Sequence, residues 1–302
     1  MVFLEIEEKI KNLQSVKKLY DYLVKSEAKR NLTVISIGGG VTQDITGFLA
    51  STLYRGVKWI YIPTTLLAQA DSCIGAKTSL NFRKYKNLLG TFYPPHEILL
   101  HTGFLDTLNE LDFFSGLGEV VKLQIIAGDA ALRTFHDDIH SLSSRQSGEK
   151  ISEYIVKSLQ IKKEFIEEDE FDLGRRNILN FGHDLGHAME SSNNYRIPHG
   201  QAVLYGMVLA DIIALNRGLL DEDTEMFLFS KVIVPFLKFN IEEMNLNPGK
   251  LVNGLKKDKK KVGSGLPIIL LKNDFIFEKF NDLTKHEISE SVKLLKKRIQ
   301  LA

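Results

Sequence analysis

Residues 175–190 read Arg-Arg-Asn-Ile-Leu-Asn-Phe-Gly-His-Asp-Leu-Gly-His-Ala-Met-Glu, and residues 197–206 read Ile-Pro-His-Gly-Gln-Ala-Val-Leu-Tyr-Gly. Together they hold three of the chain's eight histidines, His183, His187 and His199. His183 and His187 stand four positions apart, so a helix places both imidazoles on one face. His199, between Pro198 and Gly200, opens a second apolar helical run, where its ring can turn back toward that face. Three neutral imidazoles converging beside carboxylates suit a divalent metal of the zinc type. A histidine pair at this spacing is as often an ordinary helix face, so support must come from the rest of the chain.

The 302 residues allow one large domain or two of ordinary size, and 44% hydrophobic content is ample for a core. Thirty-nine Lys plus Arg against thirty-eight Asp plus Glu leave a formal charge of +1, which argues against a nucleic-acid surface. Any positive field must therefore be local. The single cysteine, Cys73, cannot form an internal disulfide, and no charged-then-apolar leader precedes the first helix, so a reducing cytoplasm is expected. The most apolar segment, 202–215, is interrupted by Asp211 and is too short to span a bilayer.

From the N-terminus, Ile10, Leu13, Val16, Leu19, Tyr20 and Leu23 recur at helical intervals and predict one buried stripe. A β-branched run at 33–37 ends in Gly38, Gly39 and Gly40, and a helix carrying Asp44 follows. A strand, glycine turn and helix in that order let backbone N–H groups approach a phosphate, although such turns are also common without one. A second strand is expected at 58–62, and Thr64 and Thr65 after it can bind a ligand or simply cap the next helix. From Asp71 to Asn87 the chain reads as a polar, glycine-punctuated loop before a third strand near 98–100. Its Lys77, Arg83, Lys84, Lys86 and Asn87 are either a solvated surface or a seat for an anion.

Beyond about Asp106 helical periodicity takes over, which predicts a domain boundary there: an α/β domain over 1–106 and a mostly helical one over 107–302. Glu119 and Lys122 lie three apart in an apolar stretch, either a surface ion pair or a buried working one. An amphipathic helix at 152–168 carries Lys162. Later come a basic run at 256–261, one late strand at 266–271 and a final helix.

Several motifs, in this order, are similar to those of the 3-dehydroquinate synthases, within the wider sugar phosphate cyclases. They are Gly-Gly-Gly-Val-x-x-Asp-x-x-Gly-Phe (38–48), Arg-Gly-Val (55–57), Ile-Pro-Thr-Thr-Leu-Leu-Ala-Gln-x-Asp-Ser (62–72) and Gly-x-Lys-Thr (75–78). Lys-Asn-Leu-x-Gly-x-Phe (86–92), Gly-Leu-Gly-Glu-Val-Val-Lys (116–122) and Leu-Asn-x-Gly-His-x-x-Gly-His-Ala-x-Glu (179–190) complete the set. The resemblance runs from about Glu8 to Leu271. It implies a nucleotide-binding α/β domain with an incomplete parallel sheet, a helical metal domain, a cleft between them, NAD, Zn2+ or Co2+, and a homodimer. The implied reaction eliminates phosphate from a phosphorylated sugar acid, 3-deoxy-D-arabino-heptulosonate 7-phosphate, and closes a carbocycle, 3-dehydroquinate, in shikimate-pathway biosynthesis. A related sugar phosphate cyclase and a non-catalytic metal-binding relative are the alternatives. Metal-dependent alcohol dehydrogenases share the architecture, but their first metal ligand is typically aspartate.

Carried over by position, the resemblance implies Glu119, His183 and His199 as metal ligands, and His187, Lys122 and Asp71 as catalytic residues. It implies Gly38, Gly39, Gly40, Asp44, Thr64, Thr65 and Lys86 around NAD. Lys77, Asn87, Lys162, Arg176, Asn180 and Lys259 would hold the substrate, with Arg55 reaching a neighbouring subunit's site. The chain also departs from the family pattern. Gln43 and Ser79 stand where glycine is usual, and Asp172 where glutamate is usual. A further βαβ unit, normally preceding the segment at Glu8, has no counterpart before Met1, which predicts a small sheet with an exposed edge and an incomplete adenosine pocket.

Overall fold

A computed structural model describes residues 1–83, 85–145, 148–257 and 265–300. Lys84, Lys259 and most of the basic run at 256–261 lie outside the described residues. The chain divides into two compact units, Met1–Leu108 and Asn109–Ala302.

In the first unit, Asn12 caps helix α1 (Leu13–Lys25) by accepting from the amides of Gln14 and Ser15. Strands β1 (Thr33–Gly38) and β2 (Lys58–Pro63) pair in parallel across helix α2 (Gly40–Thr52), the right-sized crossover for such a pair. A short β5 (Glu97–Ile98) completes a three-stranded sheet of order β1-β2-β5. Ile45 and Leu49 of α2, Val16 of α1 and Leu80 form one buried cluster. The small sheet agrees with expectation, and β1 is its edge among the described residues. Ile35 and Ile37 on β1 are 60% and 56% exposed, so that face has no cover among the described residues.

One expectation fails here. The polar stretch read as a loop through Asn87 is largely an antiparallel hairpin, β3 (Lys77–Phe82) with β4 (Tyr85–Phe92). Thr78 and Leu80 point inward while Lys77 faces out, and the charged outward positions concealed that alternation. Gly90 is required by the pairing: a Cβ there would sit 2.3 Å from the Thr78 carbonyl.

The second unit is built on two helices buried all round, which accounts for their lack of amphipathic period. They are α3 (Glu110–Ile126), buried from Phe113 to Ile126, and α7 (His199–Asn216), buried from Gly200 to Ala214. Glycines let the backbones touch: a Cβ on Gly200 would lie 1.7 Å from the Ser115 carbonyl, and one on Gly206 2.0 Å from that of Gly182. Around them lie α4 (Asp129–Ser143), α5 (Gly148–Glu168), α6 (His183–Ser192), α8 (Glu222–Phe227), α9 (Pro248–Lys257) and α10 (Lys285–Ile299). The single late strand expected at 266–271 is in fact half of a hairpin, β6 (Ile268–Lys272) with β7 (Ile276–Phe280). No helix among the described residues is long and apolar enough to cross a membrane.

Candidate metal centre and glycine turn

Two of the three imidazoles, His183 and His199, are placed by helix starts. Gly182 adopts φ 76°, a conformation that favours glycine, and turns the chain so that His183 is the first residue of α6. His199 is likewise the first residue of α7, after Pro198. His187 lies one turn beyond His183, and the three ring centroids are 5.2–5.5 Å apart. From the middle of α3, the fully buried Glu119 brings Oε1 to 3.3 Å from His183 Nε2 and 3.1 Å from His199 Nε2. Ligand atoms of Glu119, His183 and His199 all fall within 4.8 Å of one another. His187 joins a second, overlapping group with Glu190 and His199.

The electrostatics fit a cation in the first group. Both Glu119 oxygens are buried with no directed hydrogen bond, although Lys122 Nζ stands 2.5 Å from Oε2. Burial works to raise the Glu119 pKa, but Lys122 and then His183 outweigh it and hold the carboxyl well below its usual range. Burial and the Lys122 charge press His183 down to about 4, so its ring is neutral. Its Nδ1 faces the Phe181 carbonyl at 3.2 Å, which leaves the Nε2 lone pair toward Glu119. For His199, burial is overcome by contact with Glu119 and Glu190, and the pKa is pushed up to about 10. The carboxylates thus demand a positive charge at this point, and a divalent ion meets that demand better than one proton.

Lys122, Lys162 and Arg176 are each buried in this unit. The Arg176 guanidinium donates to the Glu170 carbonyl, and its backbone N–H to Asp169. A pocket opens over the centre, lined by Asn180, His183 and His187 together with Asn177, Asp184, Pro267, Ile269 and Lys279. Lys279 donates to Asn177 at 3.0 Å. Lys279 was not singled out from sequence because β7 itself went unread, and Asn177 was passed over inside the stretch that holds the histidines.

In the first unit, β1 runs into Gly38–Gly40 and α2 starts at Gly40, with no side-chain cap on its first-turn amides. Gly38 has φ 152°, and a Cβ on Gly39 would be 2.9 Å from Thr65 Cγ2. A bare turn feeding an uncapped helix start is the arrangement that accepts phosphate. Thr65 itself accepts from the Ala68 amide at 3.3 Å, the capping role, while Thr64 and Asp71 are half-buried and Arg55 is exposed. Asp44, Lys86 and Asn87 meet in one network whose hub, Lys11, was not among the candidates. Lys11 Nζ lies 3.0 Å from Asp44 and 2.7 Å from Asn87, and its partner Glu8 lies 3.8 Å from Lys86. The departures from the family pattern have structural roles. Ser79 bonds Asp44 through its amide and hydroxyl, at 2.7 and 3.0 Å. Gln43 bridges to Ser72 at 2.6 and 2.7 Å. Asp172 sits at φ 60° and accepts from Asn177.

Two family profiles match, described as 3-dehydroquinate synthase N-terminal over residues 1–115 and 3-dehydroquinate synthase C-terminal over residues 116–261. A 3-dehydroquinate synthase of Clostridium tetani is 36% identical over 291 residues, covering 94% of this chain and 75% of that protein. Among solved structures, 2-epi-5-epi-valiolone synthase from Streptomyces hygroscopicus, with NAD+ and Zn2+ bound, is similar with a TM-score of 0.87 at 27% identity. That match covers 98% of this chain and 82% of the other. A 2-deoxy-scyllo-inosose synthase complexed with carbaglucose-6-phosphate, NAD+ and Co2+ gives a TM-score of 0.84 at 26% identity, over 96% of this chain and 82% of that one.

Proposed function

Because this chain belongs to the 3-dehydroquinate synthase family, we propose that it converts 3-deoxy-D-arabino-heptulosonate 7-phosphate to 3-dehydroquinate and phosphate. The reading extends to a cytoplasmic homodimer that depends on NAD and on Zn2+ or Co2+. NAD would supply a temporary hydride acceptor, and the divalent ion Lewis-acid charge at an oxygen of the substrate.

The observation that carries the reading is the triangle of buried Glu119 with the part-buried His183 and His199, and Lys122 against it. Glutamate plus two histidines holds an ion and leaves a position for substrate. The protein's own groups do the rest. Lys122 keeps Glu119 ionised, and Arg176 and Lys162 supply fixed positive charge to an anionic substrate in a medium of low dielectric. His187, lining the pocket with a ring close to both other imidazoles, is placed to hold or pass a proton. In the first unit Gly38–Gly40 and the α2 N-terminus would receive the NAD phosphates, and the Lys11 network would fix Lys86 and Asn87. By position, Asp71 remains assigned to catalysis, and Lys77 and Arg55 to substrate.

A second reading, a cyclase acting on a related sugar phosphate, draws on the two solved neighbours. The higher identity to a 3-dehydroquinate synthase, and the retention of Arg176, Asn180 and His187, favour the substrate that carries a carboxylate. The test is phosphate release by purified protein with NAD and Co2+. Release from the heptulosonate phosphate, and not from glucose 6-phosphate or sedoheptulose 7-phosphate, supports the proposal. Release from a neutral sugar phosphate alone selects the second reading. Metal binding without release from any substrate selects a non-catalytic relative.

A further inference from the structure

Helix α6 presents His183, His187 and Glu190 at positions i, i+4 and i+7, all on one face. The first two have been accounted for. Glu190 is only 4% exposed, so its carboxylate needs positive charge or donors nearby. Its Oε1 stands 3.6 Å from His199 Nδ1, the nitrogen opposite the one that faces Glu119. That separation is an electrostatic contact rather than a full hydrogen bond. His183 is backed differently, by the neutral carbonyl of Phe181 at 3.2 Å.

Resting on the metal reading above, we propose that Glu190 is the positioning residue of the centre. It keeps the proton of His199 on Nδ1 and directs the Nε2 lone pair toward the ion. An imidazole uses one nitrogen as ligand while the other keeps its hydrogen, and a carboxylate behind that hydrogen fixes the ring and raises its basicity. One imidazole of the centre is thereby backed by a dipole and the other by a charge. His199, at the more exposed end of the triangle with 31% of its side chain accessible against 13% for His183, has the stronger anchor where packing holds it less. The overlapping group of His187, Glu190 and His199 offers the competing role, in which Glu190 is itself a ligand.

The experiment compares Glu190→Gln, Glu190→Ala and His199→Ala. Zn2+ affinity is read by competition with a chromophoric chelator, the Co2+-loaded proteins by visible absorption, and the metal-free proteins by thermal melting. Glu190→Ala should bind Zn2+ about 10- to 100-fold more weakly. Glu190→Gln, which keeps the shape and an acceptor oxygen, should lose less and leave the Co2+ band shape and intensity unchanged. A changed Co2+ spectrum in Glu190→Gln would make Glu190 a ligand and overturn the inference. Wild-type affinity in both Glu190 variants, with His199→Ala defective, would overturn it while sparing the metal reading. Wild-type affinity in His199→Ala would remove both.

Discussion

The metal centre and the glycine turn are built by opposite means. At the centre, geometry comes from side chains on helices packed too tightly to shift: Glu119 lies inside a fully buried stretch of α3, and His199 precedes the buried length of α7. At the turn, geometry comes from backbone, with Gly38, Gly39 and Gly40 half-buried around an uncapped helix start. A side-chain site is sensitive to anything that moves its helices, wherever the change falls. A backbone site is sensitive only to what fills the space above it.

The largest effect should follow from Gly200→Ala, since its Cβ would lie 1.7 Å from the Ser115 carbonyl and α3 and α7 must separate. Overpacking of this kind costs about 1–3 kcal/mol or more, and the displacement of Glu119 from His199 should also weaken metal binding. Chemical denaturation and metal titration check both; a stable variant with normal metal content would mean the helices are not a rigid frame.

Next comes Arg176→Lys, which keeps the charge but not the planar fork. Loss of charge-assisted hydrogen bonds worth about 1.5–3 kcal/mol should raise KM for an anionic substrate by tenfold or more, with metal content unchanged. Unaltered kinetics would place Arg176 in structure alone, bonded to Glu170.

Gly39→Ala sharpens the contrast from the other side. Its Cβ would meet Thr65 Cγ2 at 2.9 Å and narrow the turn, so NAD affinity should fall about tenfold, a cost of about 1.4 kcal/mol, without change in the metal centre. Thr65→Ser, which deletes that methyl group, should restore part of the loss; if it restores none, the crowding is not the cause. The smallest effect is expected from Lys279→Ala. An exposed lysine is worth about 0.2–1 kcal/mol, so KM should rise only a few-fold, and a larger rise would give the β6–β7 hairpin a greater share in substrate binding.

The same contrast explains what could be read in advance. His183 and His187, four apart, and Glu119 and Lys122, three apart, are local patterns, and their spacing announced a shared helix face. The parallel strands around the glycine turn were legible for the same reason. Lys11 was not, because its partners Asp44 and Asn87 are 33 and 76 positions away and no spacing encodes the contact. The contact of Glu190 with His199 was hidden although both lie in the stretch that decided the reading, because it crosses from one helix to the next. The β3–β4 hairpin escaped because lysines and asparagines on its outward face look like a loop's composition. In the second unit the last hairpin was half seen: the apolar β6 was legible, while β7, mostly exposed, was not.

The most direct test of the account is metal content after exhaustive desalting of wild type, Glu119→Ala, His183→Ala, His187→Ala and His199→Ala. About one Zn2+ or Co2+ per chain is expected in the wild type, retained in His187→Ala and lost from the other three. Retention in Glu119→Ala, with loss from His187→Ala, would contradict the account and put the ion in the group formed by His187, Glu190 and His199.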